Sequence, residues 1–127
     1  GGPLAWSQGL NVPSIGASMA SIKLHRSPEL ARLQRSLQAN MVLFDELVAT
    51  AQRGAGFPLK VIRVGEAADA IKASAGILER GFYTSAVFFP IVRKGEAALR
   101  IMLRADNTLE DIRAFAAAVH DFVPGQK

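Results

Sequence analysis

The sequence contains no cysteine, which excludes disulfides and thiolate metal sites. No apolar run approaches the roughly 20 residues that a membrane-spanning helix needs. No charged-then-apolar segment at the start reads as a secretory signal. Together these absences lead us to expect a cytoplasmic protein without a membrane partner. Histidine is scarce: His25 and His120 stand far apart, neither has a partner at metal-ligand spacing, and no metal site is expected. Familiar catalytic patterns are missing too. There is no phosphate-cradling Gly-x-x-x-x-Gly-Lys, no Gly-x-Ser-x-Gly and no His-Glu-x-x-His, and Gly9 and Gly16 do not form a dinucleotide fingerprint.

What is present is one domain's worth of globular chain. Of 127 residues, half are apolar and a fifth are charged, enough to bury a core. The net charge of +4 and a pI near 10.0 raise the question of nucleic acid. The basic residues are spread out, however, with acidic ones between many of them, and no basic block or aromatic-rich binding motif occurs. A solvated surface is the better reading, and no nucleic-acid partner is expected. The chain opens Gly1-Gly2-Pro3 without methionine and runs directly into structured-looking sequence, as a fragment of a longer protein would.

Periodicity supplies the elements. Gly1 to Val12 reads as loop, and Pro13 suits the first turn of a helix that continues through the small residues Ser14 to Lys23. Such a helix can pack closely on another backbone. Ser27-Pro28 caps and starts a second helix, whose stripe of Leu30, Leu33, Leu37, Met41, Phe44, Leu47 and Val48 carries it to near Gln52. Phe57 to Val64 reads as a strand. Glu66 to Glu79 reads as a helix with Ala70, Ile71, Ser74, Ile77 and Leu78 inward, stopped by Gly81. Phe82 to Phe89 and Ala97 to Arg104 read as strands joined by a short connection, hence antiparallel neighbours. Asn107-Thr108 caps a last helix with Leu109, Ile112, Phe115, Ala116 and Val119 as its stripe. The fold class is therefore α+β: a small, largely antiparallel three-stranded sheet with helices on one face, preceded by two helices, in the order α-α-β-α-β-β-α.

One strand poses a question of function. Leu99, Ile101 and Leu103 alternate with Arg100, Met102 and Arg104, so one face is buried and the other carries arginine twice. Either that face is simply wet, or one arginine is aimed at an anion.

The stretch LERGFYTSAVFFPIVRKGEAALRIMLRADNTLEDI resembles the C-terminal segment of the α-oxoamine synthases. These are fold-type I pyridoxal-phosphate enzymes that include glycine C-acetyltransferase, 8-amino-7-oxononanoate synthase and serine palmitoyltransferase. The residues that carry the likeness are Gly81, Tyr83, Pro90, Val92, Lys94, Gly95, Leu99, Arg100, Ala105, Thr108, Asp111 and Ile112, in the family's order and spacing. Upstream, WSQGLNVPSIGASMASIKL is similar to the family's Phe-Ser-x-x-Leu-x-Pro segment and small-residue helix, so the resemblance covers nearly the whole chain. Three positions depart: Ala98 replaces the first arginine of Arg-x-Arg, Arg93 a turn proline, and Asn107 the histidine before Thr108.

The resemblance implies the C-terminal, small domain of a pyridoxal-phosphate-dependent acyltransferase, with residues 1–24 connecting to an absent large domain. The complete enzyme would be a homodimer that condenses an amino acid with an acyl-CoA. Arg100 matches the family's carboxylate-binding arginine, a role suited to an always-charged planar fork. Arg104 matches a small residue and reads as surface. Ser7, and with less support Gln8, match a segment that reaches the neighbouring subunit's cofactor phosphate. No catalytic residue is expected in the chain itself, because Lys23, Lys60, Lys72, Lys94 and Lys127 do not occupy the context of the Schiff-base lysine. Two alternatives stand beside this: the small domain of a class I/II aminotransferase, and a non-enzymatic α+β binding module.

Overall fold

The computed structural model describes Gly9 and residues 11–126. The chain divides into two compact units, Gly1–Leu33 and Gln34–Lys127. In the first, α1 (Val12–His25) begins where the Asn11 Oδ1 accepts from the Ser14 N–H at 2.8 Å, with proline in the opening turn. None of its residues is buried, and Ile15, Met19 and Ile22 are exposed, so the close packing expected of its small residues is not seen. Ser27 does not cap α2 (Pro28–Leu47) through its side chain. Its hydroxyl donates to the Leu24 carbonyl at 2.8 Å, satisfying an end group of α1 instead.

The second unit holds the rest of α2, then β1 (Leu59–Gly65), α3 (Ala67–Glu79), β2 (Ser85–Val87), β3 (Ala97–Met102) and α4 (Leu109–Phe122). The expected α-α-β-α-β-β-α order is observed. The sheet is antiparallel throughout, with β3 in the centre in the order β1-β3-β2. Ile62 of β1 and Leu99 and Ile101 of β3 point to one side. There they join Phe44 and Val48 of α2, Ala73 and Ile77 of α3, and Ile112, Phe115 and Val119 of α4 in a single core. Phe115 is its hub, edge-on to Phe82 with centroids 5.5 Å apart and stacked on Phe44 at 6.2 Å.

Several element boundaries differ from the sequence reading, each for a local reason. α2 ends at Leu47 rather than near Gln52, where the end of the chain takes over its polar groups. A His120 ring nitrogen lies 2.9 Å from the Leu47 carbonyl, and the Gln126 amide bonds both the N–H and the C=O of Ala49 at 3.0 Å. β1 begins at Leu59, leaving Phe57 exposed. The strand expected from Phe82 to Phe89 contracts to Ser85–Val87. At one end the Phe82 N–H closes α3 by bonding the Ile77 carbonyl at 3.2 Å, and at the other the Phe88 carbonyl accepts from Ile91 at 2.9 Å in a turn. β3 stops at Met102, because the Arg104 N–H turns to the Asn107 Oδ1 at 2.7 Å.

On α3 the expected inward residues Ile71 and Leu78 are exposed, as is Leu109 of α4. Ala70 and Ile77 face inward as expected, and Ala73 and Gly76 join them. A Cβ on Gly76 would come within 2.5 Å of the Phe122 ring, so the small residues let α3 and α4 approach closely. Gly81, at a φ of +89°, turns the chain out of α3 as expected.

The start of α4 is a reciprocal cap. The Thr108 hydroxyl accepts from the Asp111 N–H and the Asp111 carboxylate accepts from the Thr108 N–H, both at 3.0 Å. The Thr108 side chain, then its backbone N–H, hold the Asp111 carboxyl below its ordinary value of 3.8. A depressed carboxyl contributes stability that is complete above the ordinary value and lost as the pH falls through the lowered one. Urea titrations should therefore find the chain more stable than its Asp111→Asn variant near neutrality, with the gap closing below pH 3.8. A gap that persists unchanged in acid would show that the carboxylate's charge is irrelevant to the cap.

Candidate functional site

Because Leu99 and Ile101 point into the core, Arg100 points away from it. It stands on the central strand, directly opposite Val61 of β1 on one side and Ser85 of β2 on the other. The register also places Leu59, Arg63, Val87, Ala98 and Met102 on this outer face. An antiparallel sheet with one solvated face normally presents polar residues there. Here the face is mainly apolar, with Arg63, Ser85 and Arg100 as its polar members. A groove of about 360 Å³ runs along it, lined by Leu59, Tyr83, Ser85, Arg100, Ile101 and Met102. Tyr83 is 80% exposed, and Phe89 and Ile91 of the β2–β3 connection are exposed as well. A mainly apolar sheet face with a groove along it is a candidate binding or docking face.

Arg100 makes no ion pair among the described residues, whereas the Arg104 guanidinium bonds Asp106 at 2.6 Å. Arg104 is also tied down by its backbone. Its carbonyl accepts from the Asn40 Nδ2 at 2.8 Å, and the same amide donates to the Asn107 carbonyl at 2.9 Å. Arg104 thus belongs to the β3–α4 turn, whereas Arg100, like Arg63 on the same face, makes no ion pair among the described residues, and of these two it is Arg100 that lines the groove. A cavity of about 400 Å³ lies beyond that end of the sheet, lined by Phe44, Phe82 and Phe115 among others. Of its polar side chains, Arg104, Asn107 and Asp111 are engaged in the turn and the helix cap, and Tyr83 is shared with the groove at Arg100. The groove at Arg100 is therefore the better candidate.

Ser7 and Gln8 lie outside the described residues. Of the lysines, Lys23 is in α1, Lys72 in α3 and Lys94 in the β2–β3 connection, its Nζ 5.3 Å from the centroid of the Phe89 ring. Lys60 is fully buried, its Nζ 2.6 Å from the Asp45 carboxylate and 3.1 Å from the Gln52 carbonyl. Lys127 lies outside the described residues, and among those described no lysine lines the groove at Arg100. The described residues of the groove thus offer a guanidinium and no side-chain amine.

Two features escaped the sequence reading. One is the buried Lys60–Asp45 pair, although strict alternation along Leu59-Lys60-Val61-Ile62 puts Lys60 on the side of Ile62. The other is Ser85, whose position across from Arg100 depends on strand register.

No protein-family model matches the chain. It is 37% identical over 111 residues to 8-amino-7-oxononanoate synthase of Methylococcus capsulatus, a match that covers 85% of this chain and 28% of that protein. Among solved structures, 8-amino-7-oxononanoate synthase from Francisella tularensis superposes with a TM-score of 0.67 at 21% identity, over 83% of this chain and 30% of that one. A serine palmitoyltransferase from S. paucimobilis with a bound PLP–myriocin aldimine superposes at 0.71 and 16% identity, over 92% of this chain and 31% of the other. The chain therefore spans less than a third of the length of each of these proteins, and the structural likeness establishes the fold.

Proposed function

Because the chain is homologous, over 85% of its length, to 8-amino-7-oxononanoate synthase of the α-oxoamine synthase family, we propose that it is the small, C-terminal domain of such an enzyme. The complete protein would condense an amino acid with an acyl-CoA, and Arg100 would receive the amino-acid carboxylate. The observation that carries this reading is the placement of Arg100: exposed, without an ion pair among the described residues, and central on an otherwise mainly apolar sheet face. A carboxylate held bidentately there would be fixed in direction as well as in place, which orients the rest of the substrate. The pyridoxal ring, when bound, serves as electron sink for the carbanion. The choice of acyl transfer over amino transfer rests on the relatives' activity.

In this reading residues 1–24 connect to a large domain upstream, and Ser7 and Gln8 reach a cofactor phosphate across a homodimer. The open sheet face and the exposed apolar residues of α1 are then surfaces that the large domain and the partner subunit cover. The large domain also supplies the cofactor's lysine, so the chain alone should be inactive. Mixing it with pyridoxal phosphate, reducing with borohydride and mapping the peptides should give at most scattered, substoichiometric labelling. Lys60, enclosed by Asp45 and Gln52, should be labelled least. Stoichiometric modification of one lysine would overturn the assignment of the anchor to a missing domain.

A further inference from the structure

We infer that Ser85 is a second hydrogen-bond donor to the anion held by Arg100, an inference that rests on the carboxylate role proposed for that arginine. The two residues are directly paired across the β2–β3 ladder and so project from the same face. Directly opposed residues of an antiparallel pair have Cβ atoms about 4.5–5.5 Å apart. With the guanidinium folded along the sheet toward β2, a carboxylate that it holds comes within reach of a hydroxyl on the neighbouring strand. Both side chains line the same groove. On the other side of Arg100 the paired residue is Val61, which offers no donor. The bound anion is then approached by polar groups from β3 and β2 and by an apolar wall from β1.

The Ser85 hydroxyl has no hydrogen-bond partner among the described residues, although the side chain beside it is firmly committed. Thr84 points inward and is buried, and the Ser74 hydroxyl of α3 donates to its carbonyl at 3.1 Å and lies 3.0 Å from its Oγ1. This tether fixes the first residues of β2 against α3, so Ser85 is presented from an anchored backbone and not from a loose strand end. A fixed donor costs little ordering when the ligand arrives. Ser85 is thereby a binding residue that sharpens the orientation given by the arginine fork. Two parallel bonds fix the carboxylate in the plane of the fork but leave it free to tilt out of that plane, and a third donor from the adjacent strand limits that tilt.

The test uses the full-length protein that contains this chain, loaded with pyridoxal phosphate. Calorimetric titrations would be run with glycine, L-alanine and L-serine, and with the amide of each as a probe lacking the carboxylate. A hydrogen bond to a charged group corresponds to roughly a tenfold or greater change in affinity. Ser85→Ala should therefore weaken the amino acid that binds best by about tenfold, with little effect on its amide, and Ser85→Thr should restore binding. If Arg100→Lys weakens the amino acid but Ser85→Ala does not, Ser85 is no ligand and the arginine reading stands. If neither variant changes amino-acid binding, the arginine reading fails and this inference falls with it. Equal losses for amino acid and amide in Ser85→Ala would mean that the serine supports the strand and does not touch the anion, which also overturns the proposal.

Discussion

Replacing Asp45 with alanine should lower the stability of the chain by about 3–5 kcal/mol, the usual consequence of removing one partner from a buried ion pair. The Lys60 side chain is completely buried and Asp45 is 12% exposed, so solvent can do little to compensate for the lost partner. The ammonium would keep one neutral acceptor, the Gln52 carbonyl at 3.1 Å. The Gly54 N–H would lose the Asp45 Oδ2 that now accepts from it at 2.8 Å. The same cluster protects the edge of the sheet, since the Gln52 side-chain oxygen accepts from the Val61 N–H at 3.0 Å. Lys60 and Asp45 thus hold the loop after α2 against β1, and the loop closes the strand's free edge. The double change Asp45→Leu, Lys60→Met removes both charges and should recover most of the loss. Urea unfolding of the three chains measures this. A loss below about 1 kcal/mol in Asp45→Ala would place the pair among exposed ion pairs of little consequence.

How far the sequence could be read depended on the range of the signal. Local signals carried well. The stripe from Leu30 to Val48 marked α2, and the Asn107-Thr108 cap marked the start of α4. The alternation through Leu99, Ile101 and Leu103 told which side of β3 is buried and so where Arg100 points. Signals that depend on what packs against a segment did not carry. Ile71 and Leu78 looked like part of the inner face of α3, but Ala73 and Gly76 face inward, and at Gly76 the Phe122 ring of α4 fills the space a Cβ would need. The aromatic run through Phe88 and Phe89 looked like strand, yet a turn at Phe88 cuts it short. For the site, residue identity pointed to Arg100, whereas its neighbour Ser85 emerges only from the pairing of two strands. Lys60 was the most legible of the missed features, because its alternation with Ile62 places it inside and a buried lysine requires a partner.

The exchange of Arg100 for lysine in the full-length protein, measured as amino-acid affinity, tests the central claim most directly. Lysine keeps the positive charge but loses the planar fork that grips a carboxylate with two parallel bonds. The lost charge-assisted bond is worth roughly 1.5–3 kcal/mol, or on the order of ten- to a hundredfold in dissociation constant. Thermal stability and acyl-CoA affinity should hold, since the packing side of β3 is formed by Leu99 and Ile101 and Arg100 takes no part in the core. Arg104→Lys is the matched control. It lies on the adjoining turn, already pairs with Asp106, and should leave amino-acid binding unchanged. A loss of ten- to a hundredfold for Arg100→Lys, with Arg104→Lys silent, is the predicted result. Wild-type amino-acid affinity in Arg100→Lys would contradict it.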